Sequence, residues 1–292
     1  MSLTGIDVSS YQGTINWWAV KQNGIDFAIL KVIRKDLNPD KKFEENWKGC
    51  KDYNVHVHGV YEYGYITTVA KSRSDARRVL TILNGRKVTV YLDVEDAVMK
   101  GLGKNIISII NAYGKVITDA GLQFGLYTGE SFYKTYIKPY GGVNYPMWIA
   151  RYGKNNGKCD VKYQPQVPNM VGWQYTSKGR VGGIVGNVDM NVWYKELDTV
   201  YEDSTSHSNP YTEPERLLYY KPLARMKGND VKWVQYELVR KGFMPSVNAK
   251  GKTNIDGDFG KTTSDAVKAF QKSVGIKVDG KVGAVTRAYL KK

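Results

Sequence analysis

Apolar and polar positions along this chain repeat with two different periods. Alternation, the mark of a strand, covers Ile6-Asp7-Val8 and the stretch 87–95, and residues 58–65 read as a further strand. In the stretch 87–95, Val88, Val90, Leu92 and Val94 fall on one face and Tyr91, Asp93 and Glu95 on the other. Residues 27–33 are nearly all apolar, as in a strand of a parallel sheet covered on both faces, and Phe124-Gly125-Leu126-Tyr127 makes a fifth short strand. Between these runs the spacing turns helical, over 16–22, 43–53, 70–83 and 106–120, with Gly121 as the stop of the last. Three more strands follow without helices between them: Met147-Trp148-Ile149-Ala150, 171–175 and 188–192.

Five βα units followed by three closely spaced strands predict an α/β fold, a flattened β/α barrel of eight strands. In such a barrel the C-terminal ends of the strands carry the site, and the acids and aromatics of this chain cluster near those ends.

The pattern changes after about residue 200. Glu202 to Pro210 is polar and ends in proline, so 201–215 reads as a linker. Beyond it, Val231, Val234, Leu238 and Val239 form one helical stripe, Ala266, Val267 and Phe270 a second, and Val285, Ala288, Tyr289 and Leu290 a third. The expectation is therefore a catalytic barrel over 1–200, a linker over 201–215 and a small all-α domain over 216–292. The tail has an internal echo: Ile255-Asp256-Gly257-Asp258-Phe259-Gly260-Lys261-Thr262-Thr263 parallels Val278-Asp279-Gly280-Lys281-Val282-Gly283-Ala284-Val285-Thr286. Each reads as a tight Asp-Gly turn, an apolar plug and a glycine that opens a helix.

A net charge of +15 points to an anionic partner. It is unevenly spread: 17 Lys and Arg against 8 Asp and Glu from Ser204 onward, 26 against 20 before it. A basic tail of this kind suits docking to an acidic wall polymer. Nucleic acid is the rival partner, but no recognition helix or glycine-rich phosphate loop supports it. Cys50 and Cys159 are too far apart in sequence for a disulfide framework or a zinc pattern and read as reduced thiols. His56 and His58 share a strand face, yet a catalytic zinc needs a third protein ligand, and His207 lies in the linker. No metal or cofactor is called for. The start of the chain has no basic region followed by an apolar stretch, and no apolar run reaches membrane-spanning length. The expectation is synthesis in the cytoplasm of a host cell, no membrane insertion and release by another agent.

Asp93 and Glu95 carry the candidate chemistry. On one strand face they sit about 6.5 Å apart along the backbone, from a rise of about 3.3 Å per residue. At that range one carboxylate favours protonation of the other, which is what acid catalysis at a glycosidic oxygen needs. An Asp-x-Glu at a strand end also serves as a solvated pair or a helix cap, and the spacing falls between those of retaining and inverting glycosidases, so it does not choose a route.

Longer motifs narrow the reading. Gly5-Ile6-Asp7-Val8-Ser9-Ser10-Tyr11-Gln12-Gly13-Thr14-Ile15-Asn16-Trp17, Leu92-Asp93-Val94-Glu95, Trp173-Gln174-Tyr175 and Asn187-Val188-Asp189-Met190-Asn191 occur in the order seen in glycoside hydrolase family 25, the lysozymes of bacterial cell-wall glycan, which the chain resembles from about Thr4 to Trp193. The tail, from about Arg216, resembles the three-helix peptidoglycan-binding domain of wall hydrolases. Together they resemble a phage endolysin of the muramidase type, for which release through a holin is implied.

That resemblance implies hydrolysis, with retention, of the β-1,4 bond between N-acetylmuramic acid and N-acetylglucosamine. Glu95 would be the general acid and then base. Asp93 would stabilise the cationic transition state, as nucleophile or by orienting the substrate's 2-acetamido group. Asp7 and Asp189, from the first and eighth strands, would raise the pKa of Glu95 and hold hydroxyls. Tyr61, Tyr63, Tyr127, Trp148, Trp173 and Tyr175 would line the groove, where sugar faces pack on aromatics. Arg151 would meet a lactyl or peptide carboxylate. The alternative is a glycan-binding protein that keeps the barrel without the chemistry. One departure stands out: the third strand of the family usually reads Tyr-His-Phe or Tyr-His-Tyr, and here it is Tyr61-Glu62-Tyr63. Alternation points Glu62 away from the face that carries the two tyrosines.

Overall fold

A computed structural model describes residues 2–194, 209–248 and 252–291. They form two compact units, one containing a barrel and the other the helices of the tail.

The barrel closes in sequence order from β1 to β8. Its strands are β1 Leu3–Val8, β2 Phe27–Ile33, β3 His56–Tyr63, β4 Thr89–Asp93, β5 Phe124–Gly129, β6 Met147–Ala150, β7 Met170–Gly179 and β8 Val188–Trp193. Helices α1 Trp17–Gln22, α2 Phe43–Asp52, α3 Val69–Leu83 and α4 Asn105–Asp119 follow the first four strands, and the short α5, Glu130–Phe132, follows β5. Capping explains two starts: Asn16 accepts from the Ala19 N–H ahead of α1, and Thr68 accepts from the Lys71 N–H ahead of α3.

One strand departs from the parallel expectation. Strands β1 to β7 run parallel, but β8 is antiparallel to both β7 and β1. Only residues 180–187 join β7 to β8. A parallel return needs a crossover of a dozen residues or more, whereas a short connection makes a hairpin. The reversal brings the start of β8, not its end, to the rim where β1 to β7 finish.

Inward-facing side chains fill the barrel in layers. Phe27 and Tyr91 pack against Trp193, and Trp148 packs against Tyr91 and Tyr127. The ring of Tyr91 fits because its neighbours on β3 and β5 are Gly59 and Gly125; a Cβ at either position would fall on the ring. His58 Nε2 lies 3.1 Å from the Tyr91 hydroxyl, and burial lowers its pKa to about 3, so the imidazole is neutral. Glu62 points outward to the helices, as alternation requires, and is buried there beside Tyr113 and Asp75.

The tail holds α6 Asn229–Arg240, α7 Lys261–Ser273 and α8 Ala284–Leu290. Leu218, Val231, Val234, Leu238, Phe259, Val267, Phe270, Val282 and Leu290 form its core. The sequence echo is a duplicated hydrogen-bond device. Gln235 Nε2 donates to Asp256 Oδ1 at 2.8 Å and to Thr263 Oγ1 at 3.2 Å, while its Oε1 accepts from the Gly257 N–H. Gln271 repeats this with Asp279 Oδ1 at 3.0 Å, Thr286 Oγ1 at 3.2 Å and the Gly280 N–H. Each helix thus clamps the turn that opens the next one, with Phe259 and Val282 as plugs and Gly260 and Gly283 as caps.

The third stripe holds in part. Leu290 is buried and Tyr289 packs against the core, but Val285 is 62% exposed, Ala288 is exposed, and Thr286 takes the buried position one turn before Leu290. Residues 201–208 of the expected linker, His207 among them, lie outside the described residues. Of the remainder, Asn209 donates to the Trp233 carbonyl and Tyr211 packs against the core of the tail. Among the described residues, no helix is long and apolar enough to cross a membrane, and Cys50 and Cys159 are free thiols.

Candidate active site

Period-two alternation sends at least one side chain from each of the eight strands into a common pocket at the rim. Asp7, Lys31, Tyr61, Tyr63, Asp93, Glu95, Tyr127, Trp148, Tyr152, Gln174 and Asp189 line a space of about 180 Å³. Asp7 and Asp189 are direct cross-strand partners in the β1–β8 register, and Asp93 pairs with Tyr63 on one side and Tyr127 on the other. Glu95 follows the last residue of β4 by two positions. Its segment is held by Val94, whose N–H donates to the Tyr127 carbonyl at 2.8 Å.

A hydrogen-bond chain fixes Asp7. Its Oδ2 accepts from Gln174 Nε2 and from Asn191 Nδ2, both at 2.9 Å. Gln174 Oε1 accepts in turn from the hydroxyls of Tyr127 and Tyr152, each at 2.7 Å. Asn191 Oδ1 accepts from Trp148 Nε1 at 2.8 Å. These bonds hold the Asp7 carboxylate in place through its Oδ2. Asp93 differs: it is 4% exposed, and its Oδ1 has no hydrogen-bond partner within the protein. An unsatisfied buried acceptor is costly unless a ligand completes it.

Burial is the main force on the protons of all four acids. It raises Asp7 and Asp93 well above the usual carboxylate range. Asp189 adds to the rise at Asp7 and Glu95 to that at Asp93, while Lys31 pulls Asp93 back down. Glu95 is raised by burial and then by Asp189 and Asp96. Asp189 is raised by burial to about 6. Burial and mutual repulsion thus shift all four carboxyls toward the protonated form, and Lys31 opposes the shift at Asp93. The Lys31 ammonium itself lies 5.9 Å and 5.7 Å from the ring centres of Tyr61 and Tyr63. Among the described residues, no three His, Cys, Asp or Glu side chains are grouped so as to hold a metal ion.

Of the eleven residues singled out in the sequence, eight meet in this pocket: the four acids, Tyr61, Tyr63, Tyr127 and Trp148. Trp173, Tyr175 and Arg151 do not line it. Trp173 and Tyr175 flank the inward-facing Gln174, so the strand pleat puts them on the other face of β7, where they line a separate cleft of about 380 Å³. Arg151 is held 3.2 Å from Glu130, an ion pair that ties it away from the acids. Lys31, Gln174, Asn191 and Tyr152 were missed. Lys31 interrupts an otherwise apolar strand, and Gln174 and Asn191 stand at in-facing positions, so pleat counting reaches all three. Tyr152 lies just past the end of β6, where no periodicity applies.

Comparison with known proteins agrees with the fold. The pattern described as glycosyl hydrolases family 25 matches residues 6–184, and that of a putative peptidoglycan binding domain matches 227–290. The autolytic lysozyme of Clostridium acetobutylicum is 26% identical over 286 residues, covering 97% of this chain and 77% of that protein. Lysozyme M1 of Streptomyces globisporus is 28% identical over 204 residues, covering 64% of this chain and 66% of its own. The solved catalytic domain of endolysin ply40, from bacteriophage P40 of Listeria monocytogenes, is 26% identical. It aligns with a TM-score of 0.57 over 68% of this chain and 95% of that domain.

Proposed function

The chain belongs to glycosyl hydrolase family 25, and from that membership we propose that it is a muramidase that cleaves the β-1,4 bond between N-acetylmuramic acid and N-acetylglucosamine with retention at the anomeric carbon. The observation that carries the reading is a single pocket in which Asp7, Asp93, Glu95 and Asp189 converge among aromatic rings.

Glu95 is the general acid. It is half-buried at the rim, and burial with the nearby Asp189 and Asp96 raises its pKa, which favours a transferable proton. That proton goes to the glycosidic oxygen as the bond to the anomeric carbon breaks. Asp93 stabilises the cation that develops there. Its unpartnered Oδ1 accepts from the N–H of the muramic acid's 2-acetamido group and turns the amide oxygen onto the anomeric carbon. Water then adds from the face the leaving group vacated, opposite the amide oxygen; it gives its proton to Glu95 as the amide oxygen leaves the anomeric carbon, which restores the enzyme with the configuration retained. Asp7 and Asp189 keep the cluster's charge high and hold hydroxyls. Tyr61, Tyr63, Tyr127 and Trp148 support the apolar faces of the sugar. Residues 1 to about 200 form the catalytic unit, and the basic tail binds the wall and raises the local concentration of the barrel.

The test of this route is the anomer first released from a soluble muramyl glycan, followed by proton NMR. The β anomer is expected, with no glycosyl adduct on Asp93 by intact-protein mass spectrometry. Release of the α anomer would refute retention, and a trapped adduct would make Asp93 the nucleophile.

A further inference from the structure

Beside the acid pocket, across Tyr152, lies the second cleft of about 380 Å³. Tyr152 lines both spaces, so a chain lying over its ring meets both. Their chemistry is opposite. The first gathers four carboxyls. The second presents Lys154 and Lys158 over a wall made by Tyr163, Trp173 and Tyr175. Both lysines are exposed, and neither makes an ion pair among the described residues. The carboxylate of this cleft, Asp160, is matched by Lys162 at 3.2 Å and caps a turn by accepting from the Lys162 N–H.

The loop that carries the two lysines is fixed rather than loose. Asn155, next to Lys154, accepts through Oδ1 from Thr176 Oγ1 at 2.8 Å and from the Ser177 N–H at 2.9 Å, both on β7. Gly157, next to Lys158, donates its N–H to Thr176 Oγ1 at 3.2 Å. Gly153 has φ +53, and a Cβ there would fall on the ring of Tyr163. The ammonium groups are thus offered from a backbone held to the barrel, which reduces the ordering cost of binding.

We propose that this cleft is a binding subsite for the carboxylate-bearing stem peptide carried by the muramic acid of the strand held in the acid pocket. The inference rests on the muramidase reading. A neutral sugar suits the acid pocket and an anionic peptide does not, because carboxylates repel it there; the adjoining cleft offers two ammonium donors and an apolar wall to the same ligand. Polarity across Tyr152 then sets which way the strand lies in the groove.

The test uses the full chain and two soluble substrates: glycan strands that carry stem peptides, and the same strands stripped of them by an amidase. The readout is the ratio of kcat/KM on the first to that on the second. In the double variant Lys154→Ala, Lys158→Ala this ratio should fall about tenfold, as expected for two exposed charge-assisted contacts, and the difference should shrink at high salt. An unchanged ratio, whether both rates hold or both fall together, would overturn the subsite. Binding of a free muramoyl peptide, followed by NMR titration of wild type and variant, reads the subsite without any cleavage. Equal affinities would overturn it. A wild-type chain that cleaves neither substrate but binds the peptide through these lysines would refute the muramidase reading and keep the subsite.

Discussion

Replacing Glu62 by Gln should stabilise the protein above neutral pH, and the size follows from where Glu62 sits. It is 3% exposed, between β3 and the helices. Tyr113 donates to its Oε2 at 2.6 Å. Asp75 faces it with Oδ2 held by Lys71 at 2.6 Å and with a buried Oδ1 that has no partner. Burial raises the Glu62 pKa from 4.5 to about 7; Tyr113 opposes the rise, Asp75 adds to it and Lys71 reduces it. Since the folded pKa is the higher one, the native state binds the extra proton. The associated stability is full below about pH 4.5 and is lost as pH rises through about 7. A gap of that width corresponds to about 3 kcal/mol. Glutamine keeps an acceptor for Tyr113 and offers a donor to Asp75 Oδ1 without titrating. Urea unfolding of both proteins from pH 4 to 9 should give equal stabilities at the acid end. The variant should gain up to about 3 kcal/mol by pH 8. A difference that does not vary with pH would refute the reasoning.

Other perturbations test the pocket and the tail. Glu95→Gln should lower turnover by about 100-fold or more with the fold retained by circular dichroism; near-native turnover would remove Glu95 from the acid role. Lys31→Met removes the ammonium that pulls Asp93 down, so the acidic limb of the pH–rate profile should move to higher pH, with about tenfold lower activity at neutrality; an unmoved limb would mean Lys31 does not act through Asp93. Gln271→Leu leaves the N–H groups of Asp279 and Gly280 without their acceptor. The second turn should lose about 2 kcal/mol of protection, read as faster hydrogen exchange at those amides, and unchanged exchange would deny the clamp.

Much of the barrel is legible from periodicity because its core is regular. Residues 27–33 and 147–150 are strands with the limits that the apolar runs suggest, and the four acids converge because each stands at an in-facing position near a rim. What sequence reading loses is set by three-dimensional causes. The reversal of β8 depends on the shortness of its connection, which only matters once β7 and β8 are known to pair. Trp173 and Tyr175 lie outside the acid pocket because one pleat separates them from Gln174, and the aromatic pair drew attention from the polar residue between them. Arg151 is taken by Glu130, a partner 21 residues earlier that no local pattern reveals. In the tail the echo was plain, but the glutamines that close each turn lie on the preceding helix, outside the repeated motif.

The central claim is that the rim acids hydrolyse the bond on the reducing side of N-acetylmuramic acid. Purified wall is digested with the full chain, the new ends are reduced with borohydride, and the fragments are analysed by mass spectrometry. The account predicts reduced muramic acid at the new ends, and its absence from a parallel digest with Glu95→Gln. Reduced glucosamine at those ends, or the same fragments from the Glu95→Gln chain, would contradict it.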